Sequence, residues 1–462
     1  MKLNFTLLTL CALTFSFNAQ ASCFTADDIW DNADVTLFAQ ASWVNKQSSI
    51  WQIEGQAPYA PNNFYGDFGV KFSSGCSLID DKLELSFSLY GLAYAPVKQV
   101  GKFEEDNSRS RALLDLLSLT WNLSDNLHLE GGKLVPARGN FFMRSPADLL
   151  SSYYGGFKPT RLYEPSMRQV YPESFWGGRL SWNSLEYSLG LTVVPALAEI
   201  NRRYESSGNW SANQRSNASE SYLLSYTASG LEKHTPTVSL LSGDSRSVSV
   251  GDSYTYTPQL VLSAEMAYHA SQQWRHFSPD KAAEVTAWAF PSSLYASEDK
   301  EGVELALGGQ YTSDSFDIFG LEYYYQSEGY SKSEWQQQVD FVKSLNRSTG
   351  YAFLDRAFDS YKYLMAAEIN NAANKGMLQG RHYIHAYASL LTAHGLKLQP
   401  YIMMNMVDGS AMPGIHFNMA LEKINQQLEI YTGAYTALGS KDSEFALFGE
   451  TFVTYVGFKY HL

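Results

Sequence analysis

The sequence predicts an all-β chain: a transmembrane antiparallel β-barrel of about eighteen strands, with sixteen as the other even count the spacing admits. Three observations carry this reading. First, the chain ends in a strand-like run, Phe452-Val-Thr-Tyr-Val-Gly-Phe-Lys-Tyr-His-Leu462. In it Phe452, Thr454, Val456, Phe458, Tyr460 and Leu462 alternate with Tyr455, Gly457, Lys459 and His461. Period-2 alternation gives a strand one greasy and one wet face. Second, the same alternation recurs along the chain. Third, the connections sort by length, short ones alternating with long ones, as they do at the two ends of a membrane barrel.

Taken in order, strands are expected near 35–44, 65–74, 83–91, 113–123, 127–135 and 177–183. They continue near 185–194, 220–229, 235–242, 246–255, 259–269 and 302–311, then near 315–325, 381–391, 396–406, 415–422, 427–436 and 450–462. The clearest is Leu185, Tyr187, Leu189, Leu191 and Val193 against Glu186, Ser188, Gly190 and Thr192. Equally regular are Ile384, Ala386, Ala388 and Leu390 against Tyr383, His385, Tyr387 and Ser389. Short connections such as Asn183–Ser184 and Thr257–Pro258 fall after even strands. The long ones, 45–64, 92–112, 136–176, 195–219, 270–301 and 326–380, fall after odd strands. Gly243-Asp244-Ser245 is the one short connection noted on the long-loop side. A secreted β-sandwich or propeller accounts for the alternation and the turns, but for neither the sorted loops nor the terminal strand.

Composition agrees. Mean hydropathy is −0.25, and beyond residue 21 no apolar run is long enough for a membrane helix. Barrels hide their hydrophobicity in alternation, so a polar average does not argue against a membrane location. The 31 tyrosines suit interfacial girdles. With 34 Lys+Arg against 47 Asp+Glu the chain is acidic, which argues against nucleic acid as a partner.

Residues 1–21 read as a secretory signal peptide: Lys2, an apolar stretch from Leu7 to Phe17, and the cleavage pattern Ala19-Gln20-Ala21. The mature domain is then 22–462. Acylation at Cys23 is the alternative, with Gln20 standing where that signal wants an aliphatic residue. Removal of the leader takes Cys11 with it and leaves Cys23 and Cys76. Both fall on the short-turn rim of an oxidising compartment, so a Cys23–Cys76 disulfide is expected.

Two connections carry the functional expectations. Residues 331–376 read as a helical insertion, with Trp335, Val339 and Val342 at helical spacing and then Leu354, Phe358, Tyr361, Leu364 and Met365 near one face. Such a stripe needs cover: it is a plug or lid on the barrel mouth, or a helix pair packed on itself above the rim. Residues 133–179 are rich in charge and proline. Arg138, Arg144, Arg161 and Arg168, facing Asp148 and Glu164, are pore or constriction candidates, because channels select with inward-folded charged loops. The other reading is a solvated outside loop held by ion pairs.

In that segment Gly131-Gly132-Lys133 is followed by Phe141-Phe-Met-Arg-Ser-Pro-Ala-Asp-Leu-Leu150. The pattern resembles large Gram-negative outer-membrane porins of the alginate-export-like type, which carry a Gly-Lys/Arg-Gln strand end, a Trp-Gly turn and an Asn-Pro-x-Asp-like motif. Here Ser145-Pro146 replaces Asn-Pro and no Trp-Gly precedes it. Leu321 to Tyr330, followed by a helical loop, is similar in the same sense. The resemblance implies a large transport barrel of similar strand number and transfers no ligand.

Chemistry-bearing motifs are scarce. There is no His-Glu-x-x-His helix or Gly-x-Ser-x-Gly elbow, and Gly243-Asp244-Ser245 and Gly251-Asp252-Ser253 have no evident His/Asp partner. His382, His385, His394 and His416 read as girdle or lumen residues rather than metal ligands. No metal, cofactor or catalytic residue is expected. The expected role is passive passage of small or polymeric solutes across the bacterial outer membrane, through a lumen bearing Glu84, Glu130, Glu186, Glu322, Lys397, Glu429 and Lys459, with the arginines biasing it toward anions. An export component or a surface receptor or adhesin barrel are the alternatives. The expected partners are outer-membrane lipid, lipopolysaccharide and, through strand 452–462, the barrel assembly machinery.

Overall fold

The computed structural model describes residues 23, 26–51, 63–79, 82–95, 110–150, 174–200, 216–297, 300–374, 376–392, 395–421, 425–447 and 449–462. Expectations for the leader, His394, Arg161, Glu164 and Arg168 lie outside the described residues.

Eighteen strands form one sheet. The first eleven are β1 (Ala33–Lys46), β2 (Phe64–Ile79), β3 (Leu83–Ala95), β4 (Ser110–Asn122), β5 (Leu127–Leu134), β6 (Phe175–Asn183), β7 (Tyr187–Val194), β8 (Ser221–Ala228), β9 (Thr237–Gly243), β10 (Ser247–Thr257) and β11 (Leu260–His269). Two short strands, β12 (His276–Phe277) and β13 (Tyr295–Ala296), pair with each other apart from the wall. The sheet resumes with β14 (Gly302–Thr312), β15 (Ile318–Gln326), β16 (His382–Leu391), β17 (Leu396–Asn405), β18 (Ala411–Ala420), β19 (Leu428–Thr436) and β20 (Glu450–His461). Each wall strand pairs antiparallel with its neighbour in sequence, and β20 returns to β1 with Ala39 opposite Phe458 and Ala41 opposite Val456. Closure leaves no sheet edge, the condition for a sheet to sit in lipid, which offers backbone groups no hydrogen bonds.

The alternation in the last strand becomes an outside and an inside. Phe452, Val456 and Phe458 are 38%, 53% and 40% exposed on the outer face, while Val453 and Tyr455 are buried within. All eighteen expected strands are present. The largest boundary difference is at β2, which runs on to Ile79 rather than 74, and β18 begins at Ala411 rather than 415. Pro413 and Gly414 precede the expected start at 415 but lie inside the ladder, where Gly414 leaves room for the Tyr401 ring: a Cβ there would fall 2.4 Å from it.

The connections also sort as expected, with Asn405 to Ala411 a second short one at the long-loop end. At the short-turn end Cys23 and Cys76 are disulfide-bonded, with their Cα atoms 5.3 Å apart. The helix Ala26–Asp31 lies against β2, where Ser74 Oγ donates to the Ile29 carbonyl at 2.9 Å and Trp30 meets Phe72.

At the long-loop end, the helices Lys332–Leu345 and Ala352–Asn374 occupy the expected insertion. A capping box at Ser331 and Glu334 starts the first, satisfying two orphan N–H groups. Their apolar stripe is covered by other loops: Trp335, Val339, Val342, Met365 and Ile369 share a core with Trp274, Phe277, Val285 and Leu294, and with Trp51 and Leu447.

The lumen has two unlike walls. Inward positions from β15 to β20 and on β2 carry Tyr324, Tyr383, Tyr401, Tyr431, Tyr455 and Tyr65, joined in one cluster with Met403 and Met412. Inward positions from β6 to β11 carry mainly serine, threonine and glycine.

Candidate functional site

The segment after β5 turns into the barrel, and three glutamates on the inner wall receive it. Glu265 on β11 accepts hydrogen bonds from Asn140 N at 2.8 Å, from Ala147 N at 3.1 Å and from Ser145 Oγ. Glu322 on β15 accepts from Phe142 N at 2.8 Å and Met143 N at 2.9 Å, and its second oxygen meets His385 Nδ1 at 3.1 Å. Glu304 on β14 takes Arg144 Nη2 at 3.1 Å, with His269 Nε2 3.4 Å away. All three glutamates are buried. A buried carboxylate costs several kcal/mol unless its lone pairs are filled. Here the loop backbone and Ser145 fill both oxygens of Glu265, the loop backbone and His385 those of Glu322, and Arg144 meets one oxygen of Glu304, so the loop and the wall charges stabilise each other.

The loop's own sequence supports this path. Gly139 N donates to Asp148 Oδ1 at 2.6 Å, closing the segment on itself. A Cβ on Gly139 would fall 1.8 Å from Ser145 Oγ and 2.8 Å from Glu265 Oε1, so only glycine fits. Phe142 meets the Tyr387 ring edge-on with centroids 4.8 Å apart, and Met143 is buried in the tyrosine cluster. Leu149 lies against Leu241 and Ala267. Burial pushes the Asp148 carboxyl up to about 6, against the opposing effects of the Gly139 hydrogen bond and Arg144.

The sequence-derived candidates therefore divide. Arg144 is turned into the wall, its side chain 12% exposed and paired with Glu304. Asp148 is a structural acceptor within the loop. Arg138 is exposed. Among the expected lumen charges, Glu130 pairs with Arg179 at 3.3 Å and Glu429 with Lys459 at 3.0 Å. Glu186 sits in the turn between β6 and β7 instead of on a wall strand. Of the histidines, His385 and His416 face the interior, and His382 lies beside Tyr323. Among the described residues no cluster of three His, Cys, Asp or Glu side chains suits a metal ion.

A second inward fold lies between β19 and β20. Glu444 is half-buried there, accepting from Gln379 N at 2.9 Å, Asn405 Nδ2 at 2.7 Å and Tyr383 OH at 2.5 Å. Its own N–H donates to Asp408 at 2.7 Å. Burial, reinforced by Asp408, pushes its carboxyl up to about 7. The helical insertion grips the same loop: Trp335 Nε1 donates to the Asp442 carbonyl at 2.9 Å and Lys343 pairs with Asp442 at 2.5 Å.

Glu265, Glu304 and Glu444 were not singled out from sequence. The available signal for the first two was a carboxylate at an inward position between two apolar neighbours: Ala264-Glu265-Met266 and Val303-Glu304-Leu305. Glu444 lies outside any alternating run and had no such signal.

A closed barrel of eighteen antiparallel strands with an apolar outer face and a segment folded into its lumen has the architecture of a large transmembrane β-barrel. No protein-family model and no curated protein matches the chain. Among solved structures it is similar to OccK11 (OpdR) of Pseudomonas aeruginosa, with a TM-score of 0.51 and 13% identity over 93% of this chain and 95% of that one. OccAB1 of Acinetobacter baumannii gives 0.54 and 10% over 96% and 98%. OccK8 (OprE) of P. aeruginosa gives 0.51 and 10% over 94% and 98%. At such identities the likeness is one of fold.

Proposed function

We propose that the chain is an outer-membrane, porin-like channel for passive passage of small hydrophilic solutes. One observation carries the reading: a closed wall wide enough for a polar lumen is narrowed by a segment, residues 139–147, pinned inside it by Glu265, Glu304 and Glu322. A barrel that served only as an anchor or adhesin gains nothing from internal carboxylates that hold a loop across its lumen. The OccK11, OccAB1 and OccK8 barrels share the fold. The leader at 1–21 would deliver the chain to the periplasm. Strand 452–462 would present it to the assembly machinery, and the outer face would meet lipid and lipopolysaccharide.

The alginate-export-like reading of Phe141 to Leu150 is the finer proposal for the type of barrel, and it transfers no ligand. Arg138, which is exposed, is the candidate proposed to meet solute. The test is single-channel recording of the refolded full-length chain in a planar bilayer. Steady open conductance is expected. A folded, electrically silent barrel would overturn the channel reading and favour an export or receptor role.

A further inference from the structure

We infer that the conduit runs along the hydroxyl wall of β6 to β11, discriminates little by charge, and suits uncharged, polyhydroxylated solutes of the sugar and sugar-alcohol class. The inference rests on the channel reading above and deepens it. Three observations on the described residues support it.

The loop crosses the lumen between unlike partners. Phe142 and Met143 press on the tyrosine cluster, while Glu265 on β11 holds Asn140 and Ala147, and Leu149 meets Leu241 on β9. These contacts lie on the long-loop side of the hydroxyls that line the β6 to β11 wall.

That wall is made of small hydroxyls. Toward the short-turn end, Ser181, Ser188, Ser225, Thr227, Ser253 and Ser263 occupy inward positions and are half-buried, as wall-lining side chains are. Thr227 and Thr237 lie 3.2 Å apart, as do Ser253 and Ser263 at 3.1 Å. A hydroxyl has one donor and two acceptor sites, so each keeps capacity for a passing hydroxyl group after that contact.

Wall charges largely meet one another. Arg144 with Glu304, Arg179 with Glu130, and Lys459 with Glu429 are paired. Glu265 and Glu322 spend their oxygens on the loop. These side chains form no ring of unpaired cations of the kind that selects anions.

The test uses the full-length chain in planar bilayers under a potassium chloride gradient and in liposomes swelling in sorbitol or gluconate, which are similar in size and differ in charge. Cation and anion permeabilities within about threefold of each other are expected, with sorbitol entering at least as fast as gluconate. Conductance with a tenfold or larger preference for either ion, or swelling in gluconate alone, would overturn this inference and leave the channel intact. Absence of both conductance and swelling would remove the channel and this inference with it. Ser263→Lys, checked for folding by heat-modifiable migration, should shift the reversal potential toward anions. A folded S263K barrel with unchanged selectivity would place the conduit elsewhere.

Discussion

Arg144 and Glu304 lie 160 residues apart in sequence and 3.1 Å apart in space, both nearly excluded from solvent. The pair ties the loop after β5 to the wall strand β14. It also removes from the lumen the arginine that sequence reading places there, leaving its charge to position the loop instead of attracting solute.

Arg144→Ala should therefore behave as a structural lesion. It strands a buried carboxylate, with a cost of about 3–5 kcal/mol when one partner of a buried pair is removed. The expected readout is a lower unfolding midpoint in denaturant and noisier, larger unit conductance. Arg138→Ala, at an exposed position, should leave both nearly unchanged and move the reversal potential modestly toward cations. The opposite pattern in the two variants would show that Arg144 faces the conduit.

Glu322→Ala removes the acceptor for Phe142 N and Met143 N together. Each stranded N–H costs about 1–3 kcal/mol. The loop should leave the wall, and unit conductance should rise with the barrel still heat-modifiable. An unchanged conductance in a folded Glu322→Ala barrel would mean the loop does not narrow the path.

The pH dependence follows from Glu444. Its carboxyl, ordinarily near 4.5, is raised to about 7 in the folded state by burial and then by Asp408. A folded-state value above the unfolded one gives a contribution fully present below about 4.5 and lost as pH rises through about 7. The loop between β19 and β20 should be seated more firmly at about pH 5.5 than at about pH 8, with more channel flicker at the higher value. Glu444→Gln should stay quiet at both, because its amide never ionises. Flicker in that variant that still grew with pH would assign the effect to another group.

Cys76→Ser releases the Ala26–Asp31 helix from covalent attachment while leaving every wall ladder intact. A typical native disulfide contributes about 2–4 kcal/mol. The expected outcome is a folded, conducting barrel whose N-terminal segment is cut by protease faster than in the parent chain. Loss of the barrel itself would show that the bond is needed for closure.

Much of the fold was legible from sequence because its signal is local. Lipid on one side and a polar lumen on the other impose period 2 on each strand separately, as in Phe452 to Leu462, and the helical insertion announces itself through Trp335, Val339 and Val342 at helical spacing. Loop sorting also put Cys23 and Cys76 on one rim. Tertiary structure alone decided the rest. Whether Arg144 faces solute or Glu304 depends on barrel register and on the path of a loop across the lumen, and neither leaves a periodic trace in the chain. Glu444 is held only because Tyr383 and Asn405 from the wall converge on it. The pattern of apolar residues determined which way each strand faces. Closure of the wall decided which charges meet, because burial forces every carboxylate to find a partner wherever the fold brings one within reach.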